Sequence, residues 1–257
     1  MNIKKRGMNY WNYLSEGIIM ISQKSFLYLI EALLKRHGII SISGPSGSGK
    51  TTLAQFITGH LITSGNDVRD QALWVQASED FSRKRLETIF GDDWDKLSHL
   101  KENVYVIPSN VSCTNFIEQQ LTLNKIINQN AILPPYLHFI VIDNISHHMR
   151  YELSRAGSIK EKSELIDGFF DSLLLPLIRK CQREKINLIL IHEVSYIPEI
   201  KKERPFLYKV HDRIKVINIE LRKDLQTRRK KMDIFLNSGR IHDNIEYELC
   251  DTGFLFC

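Results

Sequence analysis

The sequence predicts an α/β domain: a mainly parallel sheet flanked by helices, with a C-terminal antiparallel extension. Three observations carry this. Short, continuously apolar runs rich in Val and Ile alternate with stretches of helical spacing over residues 24 to 192. A glycine-rich turn, "GPSGSGK", sits between the first such run and the first long helical stretch. After residue 205 the rhythm changes to apolar runs separated only by turns.

The elements follow in order. "KSFLYLIEALLKR" (24 to 36) has the spacing of an amphipathic helix lying over the first strand. The expected strands are "GIISIS" (38 to 43), "ALWVQ" (72 to 76), "NVYVI" (103 to 107), "LHFIVID" (137 to 143) and "INLILIH" (186 to 192). Their lack of polar alternation predicts strands covered on both faces. Between them, "KTTLAQFITGHLI", "SRKRLETIF", "TNFIEQQLTLNKII" and "KSELIDGFFDSLLLPLIRKCQRE" read as helices, the last kinked at Pro176. "RIKVINIEL", "KKMDIFL" and "IEYEL" read as the antiparallel extension.

At 257 residues with 43% hydrophobic content, the chain is long enough for one core. The expected division is a leader over 1 to 20, with an aromatic cluster at Tyr10, Trp11 and Tyr13, and a core over 21 to 257. Cys113, Cys181, Cys250 and Cys257 have no metal or redox spacing and read as free thiols. No stretch has the composition of a signal peptide or membrane span, so a soluble, cytoplasmic protein is expected. Twelve Lys/Arg and four Asp/Glu lie between Lys201 and Lys231, a net charge of +8, although the whole chain carries only +5. Such a segment is either a solvated face or a surface for a polyanion.

Gly44, Gly49, Lys50 and Thr51 satisfy Gly-x-x-x-x-Gly-Lys-[Ser/Thr] between a strand and a helix. Gly44, Pro45, Ser46, Gly47, Ser48 and Gly49 form a loop whose backbone N–H groups can surround phosphate oxygens. Lys50 supplies positive charge, Thr51 a magnesium ligand, and Thr52 continues the helix N-terminus. A nucleoside triphosphate with Mg²⁺ is the expected ligand. Asp143, closing a buried-type strand, is the expected carboxylate for the metal, the alternative being a helix cap. Glu79, in "ASEDF", is the expected residue for orienting or deprotonating water, with Asp80 its neighbouring substitute and a solvated loop position the bland alternative.

With these pieces in place, residues 20 to 255 resemble the RecA/RadA recombinase superfamily and, within it, the archaeal paralogue RadB. The likeness rests on "GPSGSGKTT", "ASEDFSRKRLETI", "IDNISHHMRYELSR", "LILIHEVSY" and "NIEYELCDTGF". The resemblance implies a RecA-like core binding ATP and Mg²⁺, with Lys50, Thr51 and Asp143 in the phosphate and metal roles and Glu79 as the catalytic glutamate. Glu193 falls where the family has a glutamine sensing the γ-phosphate, and His192 where it has asparagine; an ionised Glu cannot donate to phosphate. Phe-x-x-Ala, the family's filament anchor, is absent, and the second DNA-contacting loop would be the short "SYIPEIKKERPFLYK" (195 to 209).

The resemblance therefore implies an accessory protein that binds ATP and DNA, hydrolyses ATP slowly or in response to DNA, and assists a RadA-like recombinase, with homo-oligomers possible in such a family. DNA contacts are expected from residues 146 to 162 and 195 to 209: Arg150, Arg155, Lys201, Lys202, Arg204 and Lys209 for phosphates, Tyr196 and Phe206 for stacking or local packing. His147 and His148 lack a third ligand of suitable spacing, and "KDLQTRRKKMD" (223 to 233) is a basic patch or a solvated turn. The competing readings are a non-catalytic ATP-dependent adaptor and a P-loop kinase, the latter disfavoured by the lack of an Arg-rich lid after the fifth strand.

Overall fold

A computed structural model of the chain describes residues 21–64, 69–198, 202–206, 208, 213–223, 229–236, 239–250 and 252–257. The expected leader, and with it Tyr10, Trp11 and Tyr13, lies outside the described residues, as do Lys201 and Lys209.

Helix α1 (Gln23–His37) starts where the Ser22 hydroxyl accepts from the Ser25 N–H, and it ends at Gly38, whose left-handed backbone lets its N–H donate to the Leu34 carbonyl. Phe26, Ile30, Leu33 and Leu34 form its buried stripe. Next come β1 (Ile39–Ser43), α2 (Lys50–Ser64), β2 (Gln71–Gln76), α3 (Arg83–Phe90), α4 (Trp94–Asn103), β3 (Val104–Ile107), α5 (Phe116–Ile127) and β4 (Leu137–Asp143). After β4 come α6 (His147–Arg155), α7 (Ile159–Phe169), α8 (Leu175–Glu184) and β5 (Asn187–His192). The chain closes with β6 (Val194–Ile197), β7 (Lys202–Pro205), β8 (Ile217–Lys223), β9 (Lys230–Leu236), β10 (Gly239–Cys250) and β11 (Gly253–Phe256).

Nine strands form one sheet in the order β11-β10-β9-β8-β1-β5-β4-β2-β3. β3, β2, β4, β5, β1 and β8 run parallel, while β9, β10 and β11 add an antiparallel edge. The expected architecture is therefore present, with one refinement: β8 pairs parallel with β1 on one side and antiparallel with β9 on the other, so the extension begins one strand later than the turn pattern suggests. Successive residues of β1 face opposite ways. Ile40 and Ile42 enter the core under α1 and α2, and Ile39 enters the core under α5 and α8.

The kink expected at Pro176 takes a different form. A π-helical turn, Phe170–Leu174, joins α7 to α8, and the Leu175 N–H donates to Phe170 O, five residues back. Proline has no N–H to donate, so widening the turn just before it keeps the helix continuous. The two segments expected to contact DNA hold regular structure where they are described. Residues 147–155 form α6 and 159–162 the start of α7, and residues 195–197 and 202–205 belong to the β6–β7 hairpin.

The carboxyl ends of the parallel strands share one rim. Ser43 is in register with both His192 and Glu220, and Gln76 with Asp143, so the loops after β1, β2, β4 and β5 emerge together. Among the described residues no helix is long and apolar enough to cross a membrane.

Candidate nucleotide site

The loop after β1 turns tightly because two glycines leave no room for a side chain. A Cβ on Gly44 would lie 2.6 Å from the Leu221 carbonyl oxygen, and Gly49 has φ +97° with Leu249 Cδ2 at 2.7 Å from its would-be Cβ. At the start of α2, Lys50 Nζ donates to the carbonyls of Gly44 (3.0 Å) and Pro45 (3.1 Å). Burial lowers the Lys50 pKa, while Asp143, Glu79 and Glu193 raise it. Their effect places all three carboxylates within electrostatic reach of the ammonium.

Thr51 and Asp143 meet across the sheet. The Thr51 hydroxyl donates to Asp143 Oδ2 at 2.8 Å, the pairing expected of a shared metal site. Asp143 is 2% exposed, and burial pushes its carboxyl pKa up to about 7, against the opposing influence of Thr51, Lys50 and Arg85. A buried carboxylate beside a hydroxyl is an oxygen-only, hard donor set, which fits Mg²⁺. Thr51 and Asp143 would hold the ion. The ion would supply charge neutralisation between phosphates.

The loop carrying Glu79 is fixed from behind. Gln76 donates through Nε2 to Pro108 O (2.6 Å) and accepts from the Phe81 N–H (2.8 Å). The Ala77 and Ser78 N–H groups both donate to Asp143 O, at 2.6 and 3.1 Å, and the Ser78 hydroxyl accepts from the Asn144 N–H. Asp80 accepts from the Ser112 N–H at 2.7 Å. Ser78 and Asp80 are thus committed to the scaffold, which leaves Glu79, exposed at the rim, as the carboxylate available to water.

Glu193 is held in a clamp of His147, Asn144 and Arg150. Its Oε1 accepts from His147 Nδ1 at 2.9 Å and from Asn144 Nδ2 at 3.4 Å, and its Oε2 lies 3.0 Å from Arg150 Nε as an ion pair. Its backbone N–H donates to the Ser146 hydroxyl. The carboxylate whose repulsion of phosphate the sequence raises is therefore partly neutralised by α6.

The candidate DNA contacts divide. Arg150 donates to Val194 O (2.7 Å) and Ser195 Oγ (3.1 Å), and its guanidinium lies over the Phe206 ring at 4.8 Å. Both are engaged with each other and with the hairpin. Arg204 is exposed and acts electrostatically on Glu220, and Lys202 lies in β7. Tyr196 is 61% exposed. Arg155, exposed beside Tyr151, borders a cleft of about 590 Å³ that also takes in Thr114, His147 and Glu193. His147 and His148 are spoken for: His148 Nε2 donates to the Ala77 and Cys113 carbonyls, and no cluster of three metal-ligating side chains exists among the described residues. Of residues 223 to 233, those from 224 to 228 lie outside the described residues, and Lys230 and Lys231 sit in β9.

Sequence reasoning missed Gln76 and Tyr247, whose hydroxyl donates to Ser48 O in the phosphate loop at 2.8 Å. The glutamine closes an apolar run and reads as a strand end. The tyrosine lies 199 residues from its partner, too far for any local pattern to signal.

No curated protein matches the chain. A family model described as ABC transporter matches residues 29–166, from α1 through the phosphate loop and Asp143 into α7. It supports a P-loop NTPase that binds ATP with Mg²⁺ and does not single out the recombinase superfamily. Because the match spans more than half of the sequence, the chain belongs to the ABC transporter family, as a P-loop NTPase of that group.

Proposed function

We propose that the protein is a Mg²⁺-dependent ATPase whose nucleotide state alters the grip of a neighbouring surface on DNA, in the manner of a RadB-like accessory recombination protein. The observation that carries the reading is the Glu193 clamp. One side chain lies within electrostatic reach of Lys50 and is bonded to His147 and Arg150, and Arg150 in turn holds the hairpin through Val194 and Ser195. Charge arriving at the phosphate loop repels Glu193 and loosens Arg150, so α6 and the β6–β7 hairpin respond to the nucleotide.

The family match ends at residue 166, before β5, the hairpin and the antiparallel edge. The recombinase-like part of the proposal rests on the likeness to the RadB segments, of which "LILIHEVSY" and "NIEYELCDTGF" lie beyond that point. Arg204 and Tyr196, exposed on the hairpin, and Arg155, exposed at the end of α6, are the proposed DNA contacts, together with Lys201, Lys202 and Lys209. A RadA-like recombinase is the proposed partner, with self-association on the same basis, and a cytoplasmic location is proposed.

In the proposed hydrolysis Glu79 orients and deprotonates the attacking water, and Lys50 and the loop N–H groups stabilise charge on the phosphates. One observation favours a second reading, a nucleotide-dependent adaptor without turnover: Arg150 and Phe206 are bonded to the protein itself rather than offered to a ligand.

ATP turnover with and without single-stranded DNA separates the two. Wild-type turnover that rises with DNA and is lost in K50A supports the ATPase. Binding of MgATP, seen as a melting shift absent in K50A, with no turnover under either condition supports the adaptor.

A further inference from the structure

Tyr247 is 2% exposed, and its ring is stacked on Phe254 with centroids 4.6 Å apart. It belongs to β10, where it is in register with Lys230 of β9 and Phe256 of β11. A buried phenol needs an acceptor, and this one finds the Ser48 carbonyl in the phosphate loop. Burial pushes the phenol pKa further above its ordinary value, so the group stays a donor throughout the working pH range. The same strand pair closes the outer side of the loop, because Leu249 and Phe254 occupy the space that a side chain at Gly49 would need.

The Ser48–Gly49 peptide is planar and trans, so its C=O and N–H point in opposite directions. With the carbonyl held by Tyr247, the Gly49 N–H points the opposite way, away from the Tyr247 hydroxyl. Backbone N–H groups of such loops are the phosphate ligands, and a glycine at φ +97° has no side chain to fix its peptide plane.

We propose that Tyr247 is a positioning residue for nucleotide binding: by holding the Ser48 carbonyl, it aims the Gly49 N–H at a phosphate of the bound nucleotide. The antiparallel edge thereby acts as the outer wall of the phosphate site, and its tip sets the loop's readiness to bind. The inference rests on the reading of this loop as the ATP site.

The test is calorimetric titration of wild type, Y247F and F256A with MgATP and with magnesium tripolyphosphate, which carries no nucleoside. Phe keeps the ring and removes only the hydroxyl. Phe256, which packs on Phe26 at 4.7 Å, loosens the same hairpin without touching the loop. Y247F is expected to raise the Kd of both ligands by the same factor, about fivefold for one lost orienting hydrogen bond. F256A is expected to lower the melting temperature with Kd unchanged. Wild-type affinity in Y247F overturns the proposal, and so does an equal loss in F256A, which would mean general loosening. A wild type that binds neither ligand overturns the nucleotide site and this inference with it.

If Y247F does not fold, the wild type supplies the answer through the Gly49 amide proton resonance. Saturating tripolyphosphate must shift it downfield, and an unmoved resonance overturns the proposal.

Discussion

Replacing Glu193 by Gln tests the clamp with an isosteric change. The carboxylate sits 3.0 Å from Arg150 Nε and 2.9 Å from His147 Nδ1, with Arg150 39% and Glu193 27% exposed at the side chain. At an effective dielectric constant of about 20, a unit pair at this distance attracts by about 5 kcal/mol before desolvation and side-chain ordering are subtracted. The net loss is nearer 1–2 kcal/mol, because both groups keep some water and Gln still accepts one bond. For a chain of this size that lowers the melting temperature of the ligand-free protein by about 3–6 °C.

Nucleotide affinity should move the other way. Removing a unit negative charge that acts electrostatically on Lys50, with partial salt screening, is worth on the order of 1 kcal/mol, or about fivefold in Kd. E193Q should thus be less stable when empty, bind MgATP about fivefold more tightly, and lose most of that gain at about 1 M salt. Scanning calorimetry and titration at two ionic strengths read all three quantities. Unchanged affinity with unchanged stability, or a gain indifferent to salt, would refute the clamp as a link between phosphate and α6.

Other outcomes follow from the same geometry. E79Q should bind MgATP as wild type does while turnover falls at least 100-fold, and wild-type turnover would assign the base elsewhere. G49A should raise the Kd for MgATP at least tenfold, because its φ and the Leu249 contact both exclude a methyl group; comparable affinities would mean that the loop shifts freely. His60, packed edge-on against Phe56 and near Phe90, has its pKa lowered to about 4, chiefly by burial. The unfolded chain then takes up a proton below about pH 6.5 that the folded chain refuses. Stability is full above that pH and falls between pH 6.5 and about 4, by about 2 kcal/mol after solvent screening. Denaturant titrations of H60L should show a flatter profile over that window, and an equally steep one would assign the loss to other groups.

How much was legible in the sequence depended on whether a signal is local. The run Leu137 to Asp143 reads as a buried strand because continuous apolar residues allow little else, and β4 occupies those residues. Gly44, Gly49, Lys50 and Thr51 were legible for a related reason, since a turn this tight between strand and helix restricts residue types at fixed spacing. The helix α4 escaped notice, with only Leu97 and Leu100 buried among polar neighbours, and its stop and start are set by Asp93 capping Lys96 N–H and by tertiary packing. The hairpin β6–β7 also escaped, because "IPEIKKERP" holds prolines and charges that read as loop. What orders the pairing is tertiary: Phe206 N–H donates to Glu193 O, and Arg150 holds Val194 and Ser195 from α6. Glu193 itself was legible as an oddity, but its pairing with Arg150 and its bond from His147, 43 and 46 positions earlier, were not.

The coupling of nucleotide to surface is tested most directly by fluorescence anisotropy of single-stranded and duplex DNA titrated with the wild type and K50A, each with and without MgATP, over a salt series. The account predicts salt-dependent DNA binding in which MgATP changes the wild-type Kd several-fold and leaves that of K50A unmoved. DNA affinity that ignores MgATP in the wild type, or no binding to either DNA at low salt by folded, ATP-loaded protein, would contradict it.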